Sequence, residues 1–312
     1  MTSIPFSLRQ IEYFCAVAQA GSIAAAAEAQ FVSRSALASA INDLEETLAA
    51  KLFVRHRAQG TTLTPAGKEL LEKSLILLNN ADAILGLNTA TSELSGELNV
   101  GCYPSLAPTV LGHMWRACAL RYPGLSVVPV SAELDDLLRR LKSGELDLII
   151  SFGFETEPGL ETLDLYSTVM HAVLPADHHL ADAPSVRASD LIHEELLLMN
   201  LSPARQLTLD YFSELGLIPK MGHAIDNYEL IRSLVALGAG YSIAAQRPSG
   251  DKSYQGESLV ARPIHPAPSE LPVTIGWMKG RNLSRSARAF AQLASQESDR
   301  FVHASQTTST TV

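Results

Sequence analysis

The residue types that most often carry catalysis do not combine into a known motif in this sequence. No GxSxG, GxxxxGK[ST], GxGxxG or HExxH pattern occurs. The pair Gly67-Lys68 is followed by glutamate, so it does not end a phosphate-binding loop. Side chains able to bind a metal occur close together at His171, Asp177, His178 and His179. A surface turn is the simpler interpretation of that segment, and we expect no enzyme activity, no cofactor and no metal.

A short basic cluster is the other chemically distinctive feature. The chain has a net charge of −9, and residues 1–95 carry seven Lys and Arg against nine Asp and Glu. Total charge therefore disfavours nucleic-acid binding, although the distribution of charge matters more than its sum. Four basic side chains crowd into one stretch, at Lys51, Arg55, His56 and Arg57.

The elements around this cluster are predicted by helical spacing. A first helix is expected from Ser7 to Ala20, where Gly21 ends it. Ser22 is a suitable N-cap for a second helix, and Ser33 for a third, after a turn of three residues. The third helix has an apolar stripe at Leu37, Ile41, Leu44 and Leu48. Two short helices joined by a tight turn indicate a helix-turn-helix.

A hairpin and a long helix follow. Residues 52–54 and 61–63 form short apolar strands around the basic loop, which ends at Gly60. Thr64-Pro65 then starts a helix that can continue to about Thr91. Its apolar residues repeat every seven positions, at Leu70, Leu71, Leu77, Leu78, Ile84 and Leu85. This repeat predicts a coiled-coil-like dimer contact, and packing against its own chain is the alternative.

Beyond a polar hinge at 92–96, strands and helices alternate. The series begins with a strand at 98–103, a helix at 104–121 and a strand at 125–130. It continues with a helix that contains Leu134 and ends at Gly144, and with a near-continuous apolar strand at 146–151. Further strands are predicted at 163–175, 195–200, 221–225, 241–245, 259–263 and 272–277, with helices at 203–215, 227–237 and 284–296. This βα alternation predicts an α/β domain with ligands at the carboxyl ends of its strands.

The sequence of residues 8–67 resembles the LysR-type transcriptional regulators. The resemblance depends on Ala26-Ala27, Val32-Ser33, Leu44-Glu45, Leu52-Phe53 and the run Leu63-Thr64-Pro65-Ala66-Gly67. The segments GELNVG at 96, RYPGLSV at 121, LKSGELDLII at 141 and SLVALGAGYSIA at 233 extend it to about residue 300. Some positions depart from the family pattern, namely Gln30, Arg34, Ser39 and Ala40. The DNA sequence preferred by other members therefore cannot be transferred to this chain.

The resemblance implies a winged helix-turn-helix at 1–64, a dimerising linker helix at 65–92 and an effector-binding domain at 93–300. The last is expected to be a two-lobed α/β domain like those of periplasmic binding proteins. Lobe I would comprise about 96–163 and 265–300, and lobe II about 164–264. Residues 301–312 are rich in Ser and Thr, and we expect them to be disordered. The implied partners are double-stranded DNA, a small-molecule effector and a second copy of the chain, in a homodimer or homotetramer.

In this architecture the helix that starts at Ser33 lies in the major groove. Arg34 is the main candidate for reading bases, because its guanidinium can bond guanine O6 and N7 together; a surface or phosphate role is the alternative. Ser33 and Ser35 would contact phosphate, while Ser39 and Asn42 would add weaker contacts. The hairpin would place Arg55, His56 and Arg57 on the flanking DNA backbone or minor groove, unless they are simply a solvated run of charges.

The effector is expected in the cleft between the two lobes. Two helix starts should face that cleft, one at Tyr103-Pro104-Ser105 and one at Asn200-Leu201-Ser202. The unpaired N–H groups there suit an anion, so a small organic anion or an amino acid is the expected effector. The residues expected by topology to line the same cavity are Ser131, Glu133, Phe152, Phe154 and Asn227.

One alternative is a solute-binding protein without DNA-binding activity. It would fit residues 96–300, but it would leave the helix-turn-helix unexplained. The first residues lack the features of a secretory signal, and no run of about 18 apolar residues occurs, so we expect a cytoplasmic protein outside the membrane. A peroxide sensor of the same family would need two cysteines near 195–215, and the three cysteines are Cys15, Cys102 and Cys118.

Overall fold

The computed structural model describes residues 4–56, 60–85, 94–154, 157–248, 250–281 and 283–301. The chain divides into two compact units: the first comprises residues 1–92 with 140–145 and 282–285, and the second comprises the remainder. Among the described residues, no helix is both long enough and apolar enough to cross a bilayer.

The N-terminal unit begins with three helices, α1 (Leu8–Ala20), α2 (Ile23–Ala29) and α3 (Arg34–Thr47). Ser7 and Gln10 form a capping box at the start of α1, and Gly21 ends that helix with φ 62°. Ser22 and Ser33 cap α2 and α3 through their hydroxyl oxygens. The three predicted helices and their caps are confirmed.

The core of this unit lies where the three helices meet. Small side chains at Ala26 and Ala27 are almost completely buried, which lets α2 approach its neighbours closely. The apolar stripe of α3 faces the same core through Leu37, Ile41 and Leu44. This packing leaves the opposite face of α3 exposed.

A hairpin and a long helix complete the N-terminal unit. Strands β1 (Phe53–His56) and β2 (Gly60–Leu63) pair antiparallel, and α4 spans Pro65–Leu85. Leu70, Leu71 and Leu78 pack against the core of their own unit. These three residues therefore pack within their own chain, which was the alternative to a dimer contact. Leu77 and Ile84 remain 37% and 66% exposed, so part of the seven-residue repeat is still open to a partner.

Lobe I of the second unit is a five-stranded sheet with the order β4-β3-β5-β13-β6. Its strands are β3 (Ser95–Cys102), β4 (Gly124–Ser131), β5 (Leu148–Phe152), β6 (Leu160–Val169) and β13 (Glu270–Met278). Strands β3, β4 and β5 are parallel, while β13 runs antiparallel to both β5 and β6. The associated helices are α5 (Gly112–Arg121), α6 (Leu134–Ser143) and α10 (Arg285–Gln296). The segment predicted as a helix at 104–121 begins with a π-helical turn at Ala107–Leu111.

Lobe II is built on two groups of strands with the orders β11-β7-β12-β8 and β10-β9. Its strands are β7 (His171–Pro175), β8 (Val186–Arg187), β9 (Leu196–Met199), β10 (Met221–Ile225), β11 (Ser242–Ala244) and β12 (Leu259–His265). The helices are α7 (Ala188–Leu191), α8 (Ala204–Glu214) and α9 (Tyr228–Ala236). A parallel bridge between Leu196 and Tyr241 joins the two groups of strands.

The segment predicted as one strand at 163–175 is two strands in different lobes. Strand β6 belongs to lobe I and β7 to lobe II, and Met170 alone separates them. A second connection runs back from β12 to β13 through residues 266–269. The α/β fold class is confirmed, whereas the predicted domain limits remain predictions.

Candidate nucleic-acid interface and ligand cavity

The first turn of α3 exposes the polar residues predicted to contact DNA. The Ser33 hydroxyl accepts a hydrogen bond from the N–H of Ala36 at 3.1 Å and lies 3.1 Å from the Ser35 hydroxyl. Ser33 therefore caps the helix, and one of the two hydroxyl groups donates to the other. Arg34 is exposed at the first helical position. This turn presents one cation and two hydroxyl groups beside a positive helix end.

Ser35 and two further positions form a polar stripe along α3. Ser35, Ser39 and Asn42 are spaced four and three residues apart, so they share one face of the helix. All three are exposed, and the buried apolar stripe lies on the other side. An exposed polar face of a helix can contact base edges in the major groove.

Glu45 connects α3 to the hairpin, a role that sequence reasoning missed. Its carboxylate accepts hydrogen bonds from the N–H groups of Leu52 at 2.8 Å and Phe53 at 3.3 Å, and from Lys51 Nζ at 2.6 Å. The side chain is buried. Burial alone would raise the pKa of this carboxyl, but the hydrogen bonds from Lys51 and from the two backbone N–H groups lower it overall. Glu45 therefore acts as a charged clamp beneath the hairpin.

The hairpin is held against the end of α1. Thr61 N–H donates to the carbonyl of Gly21 at 2.8 Å. Gly60 has φ 86°, and a Cβ there would lie 2.4 Å from the same carbonyl, so this position requires glycine. Arg55 and His56 lie on β1, but their side chains are outside the described part of the chain, as is Arg57. The predicted contacts of these basic side chains remain predictions.

The residues predicted for the effector site meet between the lobes. The Tyr103 hydroxyl donates to the carbonyl of Leu201 at 3.3 Å, and the N–H of Leu134 donates to the carbonyl of Ser202 at 3.3 Å. The Tyr103 ring also packs edge-on against Phe152 with centroids 5.0 Å apart. The two predicted helix starts are thus close to each other, with Pro104 and Ser105 half-buried beside them.

The aromatic residues of this group are fully enclosed. Tyr103, Phe152 and Phe154 are at most 1% exposed. The Phe154 ring occupies the space beside Gly276 of β13, where a Cβ would lie 2.5 Å from that ring. Phe154 therefore supports lobe I and offers no free surface to a ligand in this structure. The predicted residues that remain exposed are Ser131, Glu133, Asn200 and Asn227.

Asn227 has a second role at the start of α9. Its side-chain oxygen accepts a hydrogen bond from the N–H of Leu230 at 2.9 Å. The residue is the N-cap of that helix, so its amide oxygen is already engaged. The amide N–H₂ group and the second lone pair of that oxygen remain to contact a ligand.

A cavity of about 320 Å³ lies where the two connections pass between the lobes. It is lined by Ser167, Thr168, Val169, Met170, His171, Ala245, Arg247, Ala261, Arg262, Pro263 and Glu270. We call it the hinge cavity. None of its residues was predicted as a site. The sequence feature that could have indicated this cavity is Arg247, a cationic residue just after the predicted strand 241–245.

The hinge cavity is lined by charged side chains, and both of its arginines form hydrogen bonds within the protein. Arg247 bonds the carboxylate of Asp251 at 3.2 Å, and the Arg262 guanidinium donates to the carbonyl of Ala261 at 2.9 Å. Burial lowers the pKa of His171 to about 4, so its ring is neutral at pH 7. The two guanidinium groups and the neutral imidazole are suited to an oxyanion, whereas the carboxylate of Glu270 is suited to a cationic group.

One group of possible metal ligands occurs among the described residues, formed by His178, His179 and Glu194. His178 Nδ1 accepts the N–H of Leu180 at 3.1 Å, so the ring proton is on Nε2, which lies 2.7 Å from Glu194. Both nitrogen atoms of that ring are thereby engaged. These hydrogen bonds join the turn at His178 to Glu194.

Comparison with known proteins agrees with this architecture. Residues 8–68 match the family model of the bacterial regulatory helix-turn-helix proteins of the lysR family, and residues 91–299 match the LysR substrate binding domain. The chain is 27% identical over 279 residues to the Hca operon transcriptional activator HcaR of Escherichia coli, covering 88% of this chain and 92% of that protein.

Solved structures show the same organisation. A full-length OxyR variant from Pseudomonas aeruginosa aligns with a TM-score of 0.76 at 24% identity, covering 93% of this chain and 98% of that one. The C-terminal domain of a probable LysR family transcriptional regulator from Rhodococcus sp. RHA1 aligns with a TM-score of 0.62 at 33% identity, covering 64% of this chain and 99% of that one.

The fold and the site define a DNA-binding transcriptional regulator with an effector-binding domain. The chain belongs to the LysR family. A solute-binding protein without DNA-binding activity, the alternative left open by the sequence, finds no support, because the helix-turn-helix model matches residues 8–68. The relatives named here are regulators and not enzymes.

The three cysteines of the chain are free and buried. The chain has three cysteines, none of them between residues 195 and 215. Burial raises the pKa of all three thiols, to about 11 for Cys15 and Cys118 and further for Cys102. Buried thiols with raised pKa values are poor nucleophiles.

Proposed function

We propose that α3 enters the DNA major groove with Arg34, Ser35, Ser39 and Asn42 toward the bases and Ser33 toward a phosphate. The exposed polar face of α3, next to a positive helix end, is the observation that carries this proposal. Arg55, His56 and Arg57 of the hairpin would contact the flanking backbone or minor groove. Because such a regulator acts on chromosomal DNA, we place it in the cytoplasm.

Sequencing of fragmented genomic DNA captured by the full-length protein at near-physiological salt tests this proposal. We expect recovery of an inverted-repeat motif, because a homodimer presents α3 twice. Capture that is unspecific and salt-sensitive would count against sequence-specific recognition by α3.

Replacing Arg34 by Ala is expected to relax the preference at one base position in each half-site. A bidentate guanidinium–guanine contact contributes about 1–3 kcal/mol of discrimination. The measurement is the same capture experiment, with base preferences compared between the two proteins. Lys73→Ala is the control, because it removes one positive charge from α4. Identical base preferences for Arg34→Ala and the wild-type protein would contradict base reading by Arg34.

Homodimerisation is proposed through the exposed part of the repeat on α4. Leu77 and Ile84 are seven residues apart and 37% and 66% exposed. Burying both against a second copy would remove apolar surface from water. We propose a dimer through this contact, with association into tetramers through the effector-binding domains.

The effector is proposed to be a small organic anion or an amino acid that enters between the lobes and reaches the hinge cavity. Arg247 is the main candidate to bind its carboxylate, in place of Asp251. The hydroxyl groups of Ser167 and Thr168 and the neutral ring of His171 would contact its uncharged part. A ligand that binds where both connections cross can change the relative position of the lobes, which is how we propose that it alters DNA binding.

Replacing Arg247 by Gln is expected to weaken effector binding at least about tenfold, because a hydrogen bond to a charged group contributes about 1.5–3 kcal/mol. Thermal-shift screening of carboxylates and amino acids finds the ligand, and titration of both proteins measures the loss. Arg187→Gln is the matched control, because Arg187 is exposed on β8 and does not line the cavity. Stabilisation by apolar, uncharged compounds alone would contradict an anionic effector.

A further inference from the structure

The turn between α2 and α3 exposes an aromatic ring. Phe31 is 97% exposed, the highest value among the large apolar side chains in the described part of the chain. It lies two residues before Ser33, the N-cap of α3. Gln30 beside it is exposed as well, so neither residue of this turn contributes to the core.

The backbone of Phe31 adopts a conformation that disfavours a bulky residue. Its φ is 53°, in the left-handed region, where glycine or asparagine is usual. The N–H of Phe31 donates to the carbonyl of Glu28 at 3.2 Å, and the N–H of Val32 donates to the carbonyl of Ala27 at 3.0 Å. These bonds close the end of α2. The free protein thus gains no packing from a side chain that its backbone disfavours.

The position of Phe31 is continuous with the proposed DNA-facing surface. Ser33, Arg34 and Ser35 follow within four residues and are all exposed. In the docking geometry of this motif, the N-terminal end of the recognition helix is nearest the DNA, so the preceding turn lies close to the duplex. An apolar ring at that position matches the apolar parts of a duplex, which are the thymine methyl groups and the deoxyribose rings.

We propose that Phe31 is an apolar DNA contact that packs against a thymine methyl group or a deoxyribose beside the bases faced by α3. The contact increases affinity for DNA and offsets the unfavourable backbone conformation. This inference rests on the proposed docking of α3, and it adds a residue outside that helix to the interface.

Replacing Phe31 by Asn in the full-length protein tests the proposal, because Asn tolerates the left-handed conformation and lacks the ring. The probe is a duplex carrying the motif recovered with the wild-type protein. We expect an affinity about tenfold weaker, as for a loss of about 1.4 kcal/mol. The salt dependence should be unchanged, since no charge is removed. The unfolding temperature should be equal or higher, which separates lost contact from lost folding.

Tyr254→Asn is the matched control, because Tyr254 is 90% exposed in the effector-binding unit. It should leave affinity unchanged. A second duplex with uracil in place of thymine distinguishes the two sources of apolar surface. If a methyl group is contacted, uracil weakens the wild-type protein and not Phe31→Asn; if a sugar is contacted, uracil affects both equally.

Equal affinity of Phe31→Asn and the wild-type protein for the recovered motif would overturn this proposal and leave the docking of α3 intact. A changed sedimentation coefficient with unchanged affinity would also overturn it, since the ring would then contact another protein chain. If the wild-type protein recovers no motif, the docking of α3 fails, and the role of Phe31 fails with it.

Discussion

Replacing Glu45 by Ala is expected to lower the free energy of unfolding of the N-terminal unit by about 3 kcal/mol, because it leaves buried N–H groups without an acceptor. The carboxylate is 6% exposed and bonds the N–H groups of Leu52 and Phe53 as well as Lys51. The hairpin would lose its attachment to α3, so specific DNA binding should be lost at temperatures where the wild-type protein binds. Chemical denaturation and binding to the recovered motif measure the two effects.

The pH dependence gives a second measurement on Glu45. The hydrogen bonds from Lys51 and the backbone lower the pKa of this carboxyl in the folded protein. The stabilisation is therefore present above about pH 4.3, the usual pKa of glutamate in an unfolded chain, and is lost as the pH falls through the lower folded value. Glu45→Ala should lose less stability than the wild-type protein over that range.

Glu46→Ala is the matched control, because the neighbouring glutamate is exposed on the same helix. It should leave the free energy of unfolding within about 0.5 kcal/mol of the wild-type value. If Glu45→Ala and Glu46→Ala unfold alike, the carboxylate does not clamp the hairpin.

Sequence patterns were sufficient for the N-terminal unit because its elements are local. Each of the helices α1, α2 and α3 begins after a capping serine, so the sequence signal lies next to the helix that it predicts. Helical spacing could not predict the role of Glu45, because the N–H groups that it binds are seven and eight residues away, outside α3. Nothing in helical spacing distinguishes a buried glutamate from an exposed one.

The hinge cavity was harder to predict because it forms where the chain passes between the two lobes. The apolar run at 163–175 gives the same strand signal whether it remains in one sheet or changes lobes at Met170. The hinge cavity forms where that change meets residues from β12 and β13, which are about 90–100 positions later in the chain. The sequence predicted that the segments at Tyr103 and Ser202 face one cleft, but not the hydrogen bond from the Tyr103 hydroxyl to the carbonyl of Leu201.

The loop that carries Asp251 depends on one buried cation. Arg232 is 4% exposed, and its guanidinium donates to Glu229 at 2.9 Å and to the carbonyls of Gly250 at 3.1 Å and Lys252 at 2.6 Å. These bonds attach the loop to α9. Asp251 lies between Gly250 and Lys252 in the chain, and its carboxylate bonds Arg247. By holding this loop, Arg232 therefore helps to position the Arg247 side chain in the hinge cavity.

Replacing Arg232 by Met is therefore expected to destabilise the effector-binding unit by about 3 kcal/mol, since two carbonyls and a carboxylate lose a charged donor. Methionine keeps most of the buried volume, so the loss reports the hydrogen bonds more than a cavity. Denaturation measures the stability, and thermal shift with the anionic effector measures binding. Arg205→Met, at an exposed position on α8, is the control. If Arg232→Met is as stable as Arg205→Met, Arg232 is not needed to hold the loop that positions Arg247.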